Sequence, residues 1–211
     1  MSGRLRPRLG SGIIAILVSM CALPVGAIAQ TEISHPHPSI PPARDGDRLG
    51  AYETSVRVPD THLRDSQDHE QQLATLLRGR TVVLDFVFTS CRTACPALSA
   101  ILHVSEKQLG DRLGRDVILV SISVDPHHDT PGALLAYATK LGAGPHWYWL
   151  TGASADIDRT LRAFGVPLGG RPEDHPPMVL VGNADRGRWL RWVGLPTPQA
   201  LAEAVDILSV K

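Results

Sequence analysis

The chain has few cysteines, few aromatic residues and no net charge, and each shortage removes a class of protein. Of its three cysteines, Cys21 falls in an uncharged leader. The two that remain cannot make a disulfide-stapled scaffold, and a chain of 211 residues buries enough apolar surface to fold without staples. Basic and acidic residues balance at 21 each. With the three N-terminal arginines set aside, 18 basic residues face 21 acidic ones, so nothing favours a polyanionic partner and nucleic-acid binding is excluded as a reading. The C-x-x-C-H pattern of covalent haem attachment does not occur. No internal repeat is present.

Arg4, Arg6 and Arg8 open the chain without an acid, and Ser11 to Ala29 carry no charge. That pattern marks residues 1–29 as an export signal or N-terminal membrane anchor. The triplet Ala27–Ile28–Ala29 suits cleavage, while residues 11–29 are nearly long enough to span a bilayer as a tether. Secreted and anchored forms both stay open, and either way the body is exported. Residues 30–57 are rich in proline and polar side chains and read as a spacer. Residues 58–211 then form one domain.

Within that domain, Thr81–Phe88 and Asp116–Val124 are apolar nearly throughout, as strands covered on both faces would be. A helix opened by Pro96 separates them, giving a right-handed βαβ unit. Thr130 and Pro131 read as cap and first residue of a second helix. Trp147–Leu150 is a short strand, Ser154 the expected cap of the next helix, and Met178–Gly182 with Arg188–Gly194 a hairpin. Thr197 and Pro198 start the last helix. The expected fold class is α/β: a thioredoxin-like fold with a central mixed sheet, flanking helices and a late β-hairpin. The tryptophans read as packing residues.

The stretch VLDFVFTSCRTACPALSA, Val83 to Ala100, sets Cys91 and Cys95 four residues apart between a buried strand and a helix N-terminus. Helix-end amides stabilise a thiolate, which is both the nucleophile and the metal ligand. Three residues between the sulfurs, against two in a thioredoxin-type couple, let both thiolates point at a soft ion without bonding to each other. Cu(I) accepts thiolates readily and takes an imidazole as third ligand. Among nine histidines, His175 ranks first, because His-Pro-Pro leads rigidly into a core strand. His127 and His128 follow the second strand, at the end where α/β proteins gather ligands. Thiol-disulfide exchange by Cys91 and Cys95 stays open beside metal binding.

The blocks FTSCRTACPALSA, VSISVDPHHDTP, LTGASADI and DHPPMVLVG occur in this order and together resemble the SCO/SenC family of copper-handling proteins associated with respiratory oxidases. The resemblance runs from about Val58 to Leu208. It implies a copper chaperone, periplasmic or anchored to the inner membrane, that binds one copper ion through Cys91, Cys95 and His175, as Cu(I) or Cu(II). It further implies delivery to a copper-accepting oxidase subunit or another cuproprotein, and an upstream thiol reductant or copper donor. Asp125 would support the site; His127 and His128 lie in a loop that could reach the metal. The chain departs from the family in having Arg-Thr-Ala between the cysteines, where many members carry an acid, and prolines after His175. A chaperone of this kind turns over no substrate, whereas the thiol-disulfide oxidoreductase alternative would be an enzyme.

Overall fold

The computed structural model describes residues 49–167 and 171–209, which lie within one compact unit. The leader 1–29, with Cys21, and the histidines His35 and His37 fall outside the described residues.

Eight strands form a single mixed sheet: β1 (Tyr52–Ser55), β2 (His62–Asp65), β3 (Glu70–Gln72), β4 (Thr81–Val87), β5 (Val117–Ser123), β6 (Trp147–Thr151), β7 (Met178–Asn183) and β8 (Arg188–Val193). Their spatial order is β1-β8-β7-β4-β5-β6-β2-β3. β4, β5 and β6 run parallel, while β7 and β8 are antiparallel to their neighbours. Among the described residues, five helices cover the sheet: α1 (Leu73–Leu77), α2 (Ala94–Leu109), α3 (Pro131–Leu141), α4 (Ser154–Ala163) and α5 (Pro198–Ser209). Parallel central strands, a β7–β8 hairpin and a terminal helix make the thioredoxin-like α/β arrangement.

The two central strands are apolar because both of their faces are covered; every residue of β4 and β5 is buried. Val83 and Val87 point to one core, which α2, α3 and α5 fill with Leu98, Leu102, Leu134, Leu201 and Val205. Val82, Leu84 and Phe86 point to the other, closed by Leu73 and Leu77 of α1 and Ile157 and Leu161 of α4. The period-two alternation of a strand makes this division. Trp147 and Trp149 stack at 4.9 Å in the first core, and Trp189 lies edge-on to Phe164 in the second. Packing is thus the role of these rings.

Helix starts follow the sequence with two exceptions, the first being Pro96, which was expected to open α2 and is instead its third residue after Ala94 and Cys95. Thr130 accepts from the Ala133 N–H at 3.2 Å and Pro131 occupies the first turn of α3. Thr197 does the same for α5 through the Ala200 N–H. Ser154, expected as the cap of α4, is instead its first residue, with Ala153 at the cap and no side-chain capping bond. The Ser154 hydroxyl turns toward His127, 3.4 Å from Nε2. At the other edge, β1 falls inside the stretch 30–57 read as a spacer. It pairs with β8 from Tyr52–Arg191 to Ser55–Arg188, and Trp192 Nε1 donates to the Leu49 carbonyl, so the end of that stretch is built into the sheet.

Candidate metal centre

β4 ends at Val87, and the chain turns over the end of the sheet before α2 begins at Ala94. The Cys91 N–H donates to the Phe88 carbonyl at 3.1 Å, closing that turn. The first amides of a helix have no intrahelical partner. One of them, the Cys95 N–H, is directed at Cys91 Sγ at 3.4 Å. The cysteine sulfur thus does for α2 what a serine or aspartate cap does elsewhere, since Thr93 at the cap position makes no side-chain capping bond.

Both cysteines are free thiols and both are buried, yet their acidities are driven apart. Burial raises the Cys91 thiol, but hydrogen bonds from the Cys95 side chain, from the backbone N–H groups of Thr93 and Cys95 and from the Thr93 hydroxyl outweigh it, and its pKa is lowered. Cys95 is pushed up to about 12, first by burial and then by its role as donor to Cys91. Cys91 is therefore the more acidic thiol of the pair.

His175 enters from the opposite side. A 3-10 turn, Pro172–Asp174, brings the chain back over the sheet end, and the His175 N–H donates to the Pro172 carbonyl. The residue before a proline is confined to extended backbone, and His175 has φ −72° and ψ 122°. Its ring meets Phe86 edge-on at 6.0 Å. Nε2 is buried with no hydrogen-bond partner, and burial lowers the ring pKa to about 4. The imidazole is therefore neutral at physiological pH, the form that donates a lone pair.

Cys91, Cys95 and His175 line one cavity of about 20 Å³, together with Phe86, Phe88 and Glu173. A space of that size admits a single water-sized occupant. Among the described residues, no three His, Cys, Asp or Glu side chains already converge as a formed metal cluster. What the structure brings together is two thiols and an imidazole with an unsatisfied buried nitrogen, a donor set suited to a soft ion.

The loop after β5 supports this end of the sheet. Asp129 is 1% exposed; it accepts from the Thr89 N–H and hydroxyl and from the Ser123 hydroxyl. That one carboxylate ties the turn bearing Cys91 to the end of β5, a role that nothing in its spacing announced. Asp125 is bound to His128, Nδ1 lying 2.9 Å from both carboxylate oxygens. Neither Asp125, His127 nor His128 lines the cysteine cavity. All three line a neighbouring groove of about 920 Å³, which also takes in His175 and Glu173.

Asp85 was missed in the sequence, although an acid in an apolar strand is itself a signal. It is fully buried and its Oδ1 accepts from the Ser121 hydroxyl, which in turn accepts from Trp147 Nε1 at 2.8 Å. Oδ2 has no partner. Burial raises this carboxyl to about 7, and its charge is felt by Cys95 and Tyr137.

A thioredoxin-like domain with a helix-capping cysteine pair facing a buried neutral histidine defines a class of proteins that handle thiols or soft metals. The profile of the SCO1/SenC family matches residues 60–187, and the chain belongs to that family. It is 34% identical over 90 residues to the SCO1 protein homolog of Bacillus subtilis, a match covering 42% of this chain and 46% of the relative. The chain spans about half the length of the curated relatives it matches. Among solved structures, BsSco is 25% identical, covering 75% of this chain and 96% of the other with a TM-score of 0.62. It is described as a member of the Sco family of cytochrome c oxidase assembly proteins in which a disulfide switch was identified. Copper-bound yeast Sco1 shares the fold at 21% identity and a TM-score of 0.58, over 72% of this chain and 88% of that one.

Proposed function

We propose that this protein is an exported copper chaperone that carries one Cu(I) ion on Cys91, Cys95 and His175 and passes it to the copper centre of a respiratory oxidase subunit or related cuproprotein. The observation that carries the reading is the orphaned, buried Nε2 of His175 on the wall of the cavity that holds both free thiols. An unsatisfied buried nitrogen costs stability, and a metal ion with room for a third soft ligand is what relieves it. Membership of a family with copper-bound relatives points the same way.

The acidity of the pair sets the order of events. Cys91, the more acidic thiol, is the first ligand; Cys95, the less acidic, releases its proton as the ion settles. Phe86 and Phe88 line the site with apolar surface, and its small size admits a single ion. Such a low-coordinate Cu(I) is open to attack by an acceptor's thiolate or imidazole, and transfer proceeds by exchange of ligands with no change of oxidation state. Both thiols must be kept reduced in an oxidising compartment, so an upstream reductant is part of the reading. In this account residues 11–29 either anchor the domain to the inner membrane or are removed. Among the described residues, no helix is long and apolar enough to cross a membrane.

The test is an anaerobic Cu(I) titration against a competing chelator. One ion is expected to bind tightly, with His175→Ala and Cys95→Ser each losing it. Binding that survives loss of His175 would overturn the three-ligand site. The split in acidity between Cys91 and Cys95 favours a second reading, thiol-disulfide exchange with Cys91 as nucleophile. In that case dithiol exchange would persist in His175→Ala.

A further inference from the structure

His128 has an arrangement that the cysteine site does not use. Its side chain is 79% exposed, while that of its partner Asp125 is only 10% exposed. The backbone of Asp125 is held on both sides. The Asp125 N–H donates to Ser123 Oγ at 3.0 Å, and its carbonyl accepts from the N–H groups of His128 and Asp129. A rigid, nearly buried acid thus grips Nδ1 through both oxygens at 2.9 Å. With the ring proton drawn to Nδ1, the lone pair is on Nε2, at the exposed end of the ring. A carboxylate that fixes tautomer and orientation and raises the basicity of the other nitrogen is the outer-shell arrangement of metal-binding imidazoles. His127 differs, because its Nε2 faces the Ser154 hydroxyl.

Position adds the second argument. The groove holding His128 and the cysteine cavity share two wall residues, His175 and Glu173, so the two lie side by side. Asp158, Glu173 and Asp174 line it as well, and Asp125 and Asp129 add negative charge around the ring. Arg162 and Arg171 also reach it, the latter paired with Asp174.

We propose that His128 is a receiving ligand for Cu(I), binding the ion through Nε2 at the groove before it passes to His175 and the cysteines. This rests on the copper reading above. One bond between the ion and its carrier breaks as the bond to Nε2 forms; the Nδ1 proton stays on the Asp125 hydrogen bond, and no electron moves. A single oriented imidazole is a half-site, so the carrier supplies the remaining donor, and the ion is not stored there.

The test removes the inner site and looks for the outer one. The full chain carrying Cys91→Ser, Cys95→Ser and His175→Ala, labelled with 15N at the histidine rings, is titrated with Ag(I) as a redox-inert stand-in for Cu(I). Dispersed amide signals establish that it is folded. The His128 Nε2 resonance is expected to move at lower Ag(I) than that of His62, whose partner Glu70 is 65% exposed. Adding Asp125→Asn is expected to weaken that response about ten-fold. A His128 signal that responds no earlier than His62, or is indifferent to Asp125→Asn, overturns the proposal and leaves the three-ligand site untouched. Failure of Cu(I) titration in the unsubstituted chain would instead remove the cysteine reading.

Discussion

Replacing Asp85 with asparagine should make the protein more stable, and by an amount that grows with pH. Asparagine preserves the oxygen that accepts from Ser121 and fits the same space. In the wild type the carboxyl is raised from 3.8 to about 7 by burial. Its folded pKa lies above its unfolded one, so the folded state binds the extra proton between those limits, and stability falls as pH rises through that window. At 1.36 kcal/mol per unit of difference, the wild type should lose about 3 kcal/mol relative to Asp85→Asn between pH 5 and pH 8. The asparagine N–H group takes the place of the unpartnered Oδ2, which costs about 1 kcal/mol at every pH; the two proteins should therefore differ least at pH 5. Urea denaturation at pH 5, 6, 7 and 8 measures the difference directly, and contributions from other titrating groups cancel between the two proteins. A stability difference independent of pH would refute the reasoning, since it would mean that Asp85 is ionised or reached by water in the folded state.

Two further outcomes follow from the same structure. Under mild alkylation at pH 8 with iodoacetamide, peptide mass spectrometry should find Cys91 modified well before Cys95, because the pKa of one thiol is lowered and that of the other raised to about 12; equal rates would contradict this order of acidity. Gly182→Ala should destabilise by about 3 kcal/mol in chemical denaturation, since the added methyl would lie 2.0 Å from Cδ2 of Trp189, a ring with no exposed surface; a loss below about 1 kcal/mol would show that the hairpin yields.

How much could be read in advance depended on burial. β4 and β5 are apolar because both faces are covered, so their composition alone placed them to within a residue or two. The short outer strands were harder to read: β1 and β2 are set by pairing with β8 and β6, far along the chain, and β3, Glu-Gln-Gln at Glu70–Gln72, pairs with nearby β2 but has no apolar alternation to announce it. α1, with five residues, is too short for a helical period to show. Cys91, Cys95 and His175 were legible as residues that punctuate strand ends, and they do line one cavity. Asp129 and Asp85 were not, because an acid's role as a buried tie or a buried burden depends on which strands become neighbours: Ser121 reaches Asp85 only through the β4–β5 register. Ser154 was misplaced because a serine one residue inside a helix looks the same in sequence as one at its cap.

The double burial of β4 bears on the chain before it folds. Thr81–Val87 would, without Asp85, be a run of seven residues of high strand preference and no charge, the composition that stacks into aggregated sheets. In the unfolded polypeptide, exposed to its own copies, Asp85 is ionised and interrupts that run as a gatekeeper. The side chain that weakens the finished fold thus protects the nascent one, and Asp85→Asn should yield a sturdier protein that is harder to refold at high concentration.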